Sequence, residues 1–127
     1  MGSLQQILWV GGGGFLGTVL RYLLGLLGQR LEMLTGFPAS TFIINMTGCL
    51  LIGVVNGIAE SRGILSPQLR LLLVVGFLGG FTTFSAFGHD AFVMVRETAW
   101  LSLCFYTVGQ VSLGTVLVWA GYLMAAR

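Results

Sequence analysis

The residues best suited to chemistry lie inside a long apolar run, 69–95, where two adjacent glycines are closely followed by two threonines. Gly79 and Gly80 are conformationally permissive, and the β-branched Thr82 and Thr83 are stiff side chains that favour helix less. This pattern predicts a helix that is broken about midway along the run, at the bilayer midplane. A break leaves backbone carbonyls that protein, water or an ion must satisfy at that depth. The break is therefore a candidate site.

Two phenylalanines follow the predicted break. Phe84 and Phe87 are three residues apart and share a helix face, from which Ser85 is turned away. Aromatic ring edges carry partial positive charge, so such a pair can hold a small anion without a fixed charge that would trap it. Packing explains most phenylalanine pairs in a membrane protein, and with nine phenylalanines in this chain the spacing does not separate the two explanations.

Two further helix faces carry hydrogen-bond donors at matching spacing. Thr41 and Asn45 are four residues apart, with Gly48 continuing their face, and Tyr106 and Gln110 repeat the spacing later in the chain. Such donors can line a path for an anion. They can also form interhelical hydrogen bonds, at about 0.6 kcal/mol each, and the sequence leaves both explanations open.

The remaining polar candidates have simpler interpretations. Arg21 is interpreted as an anchor that reaches the interface near the end of its span, in preference to a charge inside a pore. His89 and Asp90 are interpreted as polar contacts at a helix end. Cys49 and Cys104 lie in apolar runs without a histidine or second cysteine at metal-ligand spacing, so both are expected to be small buried hydrophobic residues.

The composition indicates that these residues belong to an integral membrane protein. Of 127 residues, 56% are hydrophobic and 8% are charged, whereas an ordinary soluble domain is about 25% charged. There is no lysine, and the net charge of +2 comes without a basic cluster. Nucleic-acid binding is therefore not expected.

Four apolar segments position the candidate residues, and they are predicted to be the transmembrane helices of an all-α membrane protein. Each is close to, or longer than, the roughly 20 residues that cross the hydrocarbon core. The predicted spans are 4–27, 41–59, 69–95 and 101–126, in a single four-helix domain over 1–127. The first is expected to be retained, because it lacks a basic n-region and is longer than a signal-peptide core.

Glycine pairs indicate where the helices pack. Small residues four apart let helix backbones approach closely in a membrane, where lipid supplies no hydrophobic drive for association. Three such GxxxG pairs occur, at Gly13 and Gly17, at Gly53 and Gly57, and at Gly76 and Gly80. We expect close helix contacts at these positions.

Polar side chains within the predicted spans are mostly neutral hydrogen-bond donors, and carboxylates are nearly absent. An anion pathway needs N–H and O–H donors, whereas a cation pathway usually has acidic rings or a carbonyl filter. A proton-coupled exporter needs a carboxylate deep in a span, and the first segment has none. No nucleophile and base pair indicates an enzyme. The donors therefore favour an anion pathway.

The charges between the spans predict an unusual topology. Arginine asymmetry between loops normally sets orientation. With both termini on one side, that side has Arg62, Arg70 and Arg127, and the other has Arg30, Arg96 and, if it reaches the interface, Arg21. Because these arginine counts favour neither orientation, we expect insertion in both orientations and assembly as an antiparallel homodimer.

These residues resemble the Fluc, or CrcB, family of fluoride channels. The resemblance covers the whole chain in its length and four-span layout. It is carried by the string GFLGGFTTFS at residues 76–85 with Phe87, by Arg21 and by Asn45. The implied function is passive export of fluoride across the cell membrane, expected to be the bacterial inner membrane, which lowers the cytoplasmic fluoride concentration.

The resemblance also implies an assembly and a set of site residues. It implies a dual-topology homodimer in membrane lipid, with two antiparallel pores and broken third helices that meet around a buried structural sodium ion. Backbone carbonyls of Gly79 and Thr82 would hold the sodium. The phenylalanine box falls on Phe84 and Phe87, and the pore asparagine on Asn45. Further hydrogen-bonding residues along the pore would be Thr41, Ser85 and Tyr106.

The chain departs from the family pattern at the far end of the pore. The family often places serines one and two turns beyond the pore tyrosine, where this chain has Gln110 and Gly114. Gln110 still offers an amide donor to the pore, whereas Gly114 offers no side chain. Arg21 is expected at a structural or vestibule position.

Two other functions remain as alternatives. A small proton-coupled multidrug-type exporter has a similar size and can also have dual topology, but its carboxylate would have to be Asp90 in the third span. A non-conducting assembly or scaffold protein accounts for the GxxxG pairs and leaves the string from Gly79 to Phe87 unexplained.

Overall fold

The computed structural model describes residues 2–127, and every regular element in that range is helical. Residue 1 of the predicted domain 1–127 lies outside the described residues. The elements are α1 (Ser3–Thr35), α2 (Ala39–Arg62), α3 (Pro67–Arg70), a π-helical stretch (Leu71–Leu78), α4 (Gly79–Phe81), α5 (Phe84–Arg96) and α6 (Trp100–Ala125). Four stretches are long and apolar enough to cross a membrane: Ser3–Thr35, Ala39–Arg62, Pro67–Arg96 and Trp100–Ala125. The prediction of an all-helical protein with four such helices is confirmed.

Helix α1 is longer than predicted. We expected a span that ends at Leu27, but the helix continues to Thr35, and Gly36 ends it with a left-handed backbone, φ 63°. The sequence QRLEML at 29–34 consists of strong helix formers, so the helix continues after the apolar run ends. With 33 residues, α1 is about 50 Å long, against a hydrocarbon core of about 30 Å.

The long helices pack in pairs through their glycines. α1 lies against the π-helical stretch and α4, and α2 lies against α6. A Cβ atom built on Gly76 would lie 2.7 Å from the Val10 carbonyl oxygen, and one built on Gly57 would lie 2.6 Å from that of Tyr122. The same close approach to a facing backbone occurs at Gly13, Gly17, Gly53 and Gly80. The contacts predicted from the GxxxG pairs are confirmed.

Two extended residues separate α4 from α5. α4 ends at Phe81, and Thr82 (φ −86°, ψ 159°) and Thr83 (φ −150°, ψ 118°) precede the start of α5 at Phe84. The Thr83 hydroxyl caps α5, because its oxygen accepts a hydrogen bond from the Ala86 N–H at 3.2 Å. We call this two-residue segment, Thr82 and Thr83, the interruption.

Few side chains are shielded within a single chain. The buried apolar residues include Leu78 and Phe81 just before the interruption, and Tyr106 of α6. Large apolar side chains are exposed on all four membrane-length stretches. A surface of this kind suits lipid or another apolar partner rather than water.

Candidate functional site

A cleft of about 400 Å³ lies at the interruption, between α2, α6 and the residues on both sides of the interruption. Six of the residues predicted to form a site line this cleft: Asn45, Gly79, Thr82, Phe84, Phe87 and Gln110. Apolar side chains such as Ile52, Val74 and Leu78 complete its wall. The structure therefore brings most of the predicted site residues together.

The other predicted residues lie around this cleft. Thr41 and Arg21 line a neighbouring cavity of about 350 Å³, and Thr83 contributes to the walls of both cavities. Ser85 is exposed, with its hydroxyl 3.2 Å from that of Thr83. Tyr106 is fully buried. Thr83 is thus a wall residue that the two cavities share.

The carboxamide of Asn45 forms two hydrogen bonds with the backbone of Thr83, one through its oxygen and one through its nitrogen. Its Oδ1 accepts from the Thr83 N–H at 2.9 Å, and its Nδ2 donates to the Thr83 carbonyl at 3.2 Å. Nδ2 also donates to the Gln110 Oε1 at 3.4 Å. The interhelical hydrogen bonds that the sequence left open for Asn45 are therefore present.

Gln110 has an unused donor. Its Nε2 is buried and has no hydrogen-bond partner among residues 2–127. Burying a donor without a partner costs about 1–3 kcal/mol. Gln110 lines the cleft, but Nε2 itself is buried, so an acceptor in the cleft can offset this cost only if the Gln110 side chain turns toward it.

The two predicted phenylalanines lie side by side at the cleft. The ring centroids of Phe84 and Phe87 are 5.5 Å apart with planes at 44°, and the Phe87 ring also lies 5.3 Å from that of Tyr106. Phe84 is 83% exposed in the single chain. Phe87 is therefore held by aromatic packing, whereas Phe84 presents its ring to whatever covers the cleft.

Asp90 lies next to Tyr106, and our interpretation of it as a helix-end contact is wrong. It lies inside α5, which runs from Phe84 to Arg96, and its Oδ2 accepts a hydrogen bond from the Tyr106 hydroxyl at 2.8 Å. A buried tyrosine hydroxyl needs a partner. Asp90 thus joins α5 to α6 beside the aromatic rings.

Arg21 also differs from its interpretation as an anchor at a span end. It lies near the middle of α1, and its Nε donates to the Gly80 carbonyl at 3.0 Å. The Thr18 hydroxyl lies one turn earlier and donates to the same carbonyl at 3.4 Å. Arg21 therefore contacts the backbone just before the interruption.

Backbone carbonyls are candidate oxygen ligands for a cation at the interruption. No group of three or more His, Cys, Asp or Glu side chains that could hold a metal occurs in the described part of the chain. Gly79 and Thr82 line the cleft at the place where the regular helix ends. Neutral carbonyls of this kind suit a hard cation.

The sequence of the chain matches a known protein family. The family described as "CrcB-like protein, Camphor Resistance (CrcB)" matches residues 8–122, which is most of the chain. This chain belongs to the CrcB-like family. As a CrcB-like protein with four membrane-length helices, it is a multi-pass membrane protein.

Named relatives of this CrcB-like protein cover nearly its full length. A protein of Methylobacillus flagellatus is 40% identical over 119 residues, which are 94% of this chain and 93% of the relative. One from Nitratidesulfovibrio vulgaris is 42% identical over 118 residues, 93% and 94% of the two chains, and one from Chlorobium luteolum is 41% identical over 120 residues, 94% and 92%. All three are named "Fluoride-specific ion channel FluC".

Two residues in or beside the cleft make contacts that the sequence did not predict. Thr83 was assigned no site role, although a threonine directly before a helix is a frequent N-cap, and this signal was available. The role of Asp90 depends on Tyr106, 16 residues later in another helix. No local pattern marks such a pair.

Proposed function

We propose that this CrcB-like protein is a passive, fluoride-selective ion channel that exports fluoride across the cell membrane. The observation that carries the proposal is the full-length similarity to proteins named as fluoride-specific ion channels, at 40% and 42% identity. The chemistry of the cleft supports it, because two phenylalanine rings and a residue with an unpartnered amide donor line the cleft. Export of this kind lowers the cytoplasmic fluoride concentration without an enzymatic step.

Fluoride selectivity would follow from small, neutral donors in a narrow path. Fluoride is a small, strongly hydrated acceptor, so the Gln110 amide and the ring edges of Phe84 and Phe87 would replace its water. The donors predicted further along the path are Asn45, Ser85, Thr41 and Tyr106. Because none of these groups carries a positive charge, a bound fluoride is not trapped, while the wider chloride fits poorly.

The proposed conducting unit is an antiparallel homodimer with two pores, embedded in membrane lipid. Two observations support a partner: the cleft is open to the outside of the single chain, and Phe84 is 83% exposed there. Arg21 is bonded inside the fold, so the topology count becomes Arg62, Arg70 and Arg127 against Arg30 and Arg96. This small difference supports insertion in both orientations.

We also propose a structural sodium ion at the centre of that dimer, where the two interruptions would meet. The Gly79 and Thr82 carbonyls of each chain would supply four neutral ligands, and the bound cation would hold the two chains together. A carbonyl set adds no negative ring that would repel fluoride. Arg21 would keep a structural position at the adjacent vestibule.

No observation favours the proton-coupled exporter that the sequence left as an alternative. The relatives are named as channels, and the one carboxylate considered for proton coupling, Asp90, already accepts a hydrogen bond from Tyr106. The exporter is therefore not proposed.

The test is ion efflux from liposomes that contain the purified full-length protein. External fluoride is followed with a fluoride-selective electrode, a potassium ionophore clamps the voltage, and chloride efflux is measured in parallel against protein-free liposomes. Rapid fluoride release with chloride retained is the expected result. Equal release of both ions, or release of neither from folded dimer, contradicts the proposal.

A further inference from the structure

At the interruption, side chains form hydrogen bonds with backbone groups that would bond to each other in a continuous helix. In a continuous α-helix, each N–H donates to the carbonyl four residues earlier. Here two N–H groups donate to side-chain oxygens instead, and one carbonyl accepts from side chains. These exchanges determine which carbonyls are left without a helical donor.

The first exchange concerns the Thr83 N–H. In a continuous helix it would donate to the Gly79 carbonyl, but it donates to the Asn45 Oδ1 at 2.9 Å. The Asn45 Nδ2 also holds the Thr83 carbonyl, at 3.2 Å. The Gly79 carbonyl therefore loses its helical donor, and Gly79 is exposed and lines the cleft.

The second exchange concerns the Ala86 N–H. Its helical acceptor would be the Thr82 carbonyl, but it donates to the Thr83 Oγ1 at 3.2 Å. The N–H and the hydroxyl of Thr82 both donate to the Leu78 carbonyl, at 3.0 and 2.8 Å. Thr82 is thus anchored to the preceding helical turn, while its carbonyl loses its helical donor.

The third exchange engages the Gly80 carbonyl, which lies in the sequence between the carbonyls of Gly79 and Thr82. The Gly80 carbonyl, whose helical donor would be the Phe84 N–H, accepts from the Arg21 Nε at 3.0 Å and from the Thr18 Oγ1 at 3.4 Å. A carbonyl held by a guanidinium has little to offer a cation. The side chains therefore leave the Gly79 and Thr82 carbonyls available and engage the Gly80 carbonyl.

We propose that Asn45 and Thr83 are positioning residues for a cation, because by accepting two backbone N–H groups they leave the carbonyls of Gly79 and Thr82 available as ligands. Arg21 completes the selection by engaging the Gly80 carbonyl. The inference rests on the proposed sodium site and names the side chains that create it. Asn45 thus acts through the backbone of Thr83, in addition to lining the cleft.

Selective isotope labelling can make the Gly79 carbonyl one of only four carbonyl signals in an NMR spectrum. Gly–Gly peptide bonds occur only at 11–12, 12–13, 13–14 and 79–80. Full-length dimer labelled with [1-¹³C,¹⁵N]glycine therefore gives four carbonyl–amide correlations by NMR, and the three from α1 are internal controls. Sodium chloride is titrated in place of choline chloride, so that ionic strength and chloride stay constant.

For the unaltered chain, we expect sodium to shift the Gly79 carbonyl resonance and to leave the three α1 resonances in place. Asn45→Ala returns the Thr83 N–H to the Gly79 carbonyl, so the sodium concentration at the midpoint should rise about tenfold or more. Thr83→Val keeps the side-chain shape but removes the acceptor for Ala86, and it should raise the midpoint in the same direction.

Matched substitutions on α2 control for general effects. Asn56→Ala and Thr47→Val make the same chemical changes away from the interruption, and both should titrate like the unaltered chain. If Asn45→Ala does not fold, Asn45→Asp provides a second comparison with Thr83→Val. Asn45→Asp keeps an oxygen for the Thr83 N–H, so its midpoint should stay below that of Thr83→Val.

The outcomes separate this inference from the function on which it rests. Unaltered sodium midpoints in both Asn45→Ala and Thr83→Val would overturn the proposed positioning role and leave the cation site intact. If sodium does not shift the Gly79 carbonyl resonance in the unaltered dimer, both the proposed cation site and this inference are wrong. Fluoride conduction would still be decided by the efflux measurement.

Discussion

The carboxamides of Asn45 and Gln110 line the same cleft, and they differ in how many of their amide hydrogens already form hydrogen bonds. The Asn45 Nδ2 donates to two oxygens, those of Thr83 and Gln110. The Gln110 Nε2 donates to none in the described chain. The amide hydrogens that remain without an acceptor are therefore those of Gln110, the position where the chain departs from the serine that the family often has.

Replacing Gln110 with methionine tests this difference. Gln110→Met removes the unused donor at similar volume, and the loss of a donor worth about 1–3 kcal/mol predicts roughly a tenfold to hundredfold slower fluoride efflux. Thermal stability should change little, because removing the unpartnered Nε2 is offset by the loss of the Oε1 that accepts from Asn45 at 3.4 Å. Gln5→Met, on an exposed turn of α1, is the matched control. Unchanged efflux would show that Gln110 does not contact the ion.

The phenylalanine pair is tested by removing the ring edges. Phe84→Ile and Phe87→Ile keep apolar side chains but remove the quadrupole, and each should slow fluoride efflux by up to about tenfold with the dimer intact. Phe92→Ile, on an exposed part of α5, should conduct normally. If both cleft variants conduct like the unaltered chain, ring edges take no part in conduction.

At the scale of helices, the third membrane-length stretch is held against α1 by glycine contacts. A Cβ atom on Gly76 would lie 2.7 Å from the Val10 carbonyl and 2.9 Å from the Gly13 Cα, whereas nothing lies within 4 Å of a Cβ atom on Gly12. Backbone atoms cannot move aside as a flexible side chain does. This packing sets the distance between α1 and the interruption.

A methyl group should therefore lower stability at Gly76 but not at Gly12. Gly76→Ala overpacks the contact and should lower the unfolding free energy by about 1–3 kcal/mol. Gly12→Ala, in the same helix pair but in open space, should leave stability unchanged or raise it by up to about 1 kcal/mol. Thermal unfolding in detergent measures both. Equal stability of the two variants would mean that α1 is not held by this contact.

The helices themselves were predictable because apolar runs and glycine spacing are local signals. The end of α1 was misplaced because QRLEML at 29–34 is polar enough to end an apolar run and still strongly helical. The contact of Asn45 with Thr83 spans 38 residues, and that of Arg21 with Gly80 spans 59. Such pairs depend on how the helices pack, which the periodicity of a single segment does not contain.

At the scale of the whole molecule, the near balance of arginines should make orientation easy to bias. Gln68→Lys with Ala126→Lys adds positive charge on the side of the termini, and Met33→Lys with Glu97→Lys adds it on the other side. Each pair alone should give singly oriented protein with little fluoride efflux, since an antiparallel partner is missing. Co-expression of both pairs should restore efflux.

Measurement of orientation accompanies this experiment. Cysteine accessibility from either side of the membrane reports topology, and cross-linking reports dimerisation. Full efflux from protein that is singly oriented would rule out the antiparallel dimer.

The interruption also bears on how the chain enters the membrane. Thr18, Arg21 and Asn45, the side chains from other helices that hold the interruption, all precede it in the sequence. Because chains are made from the N-terminus, α1 and α2 leave the ribosome before residues 79–83 do. The polar partners of this segment are therefore synthesised before the peptide groups that they bind.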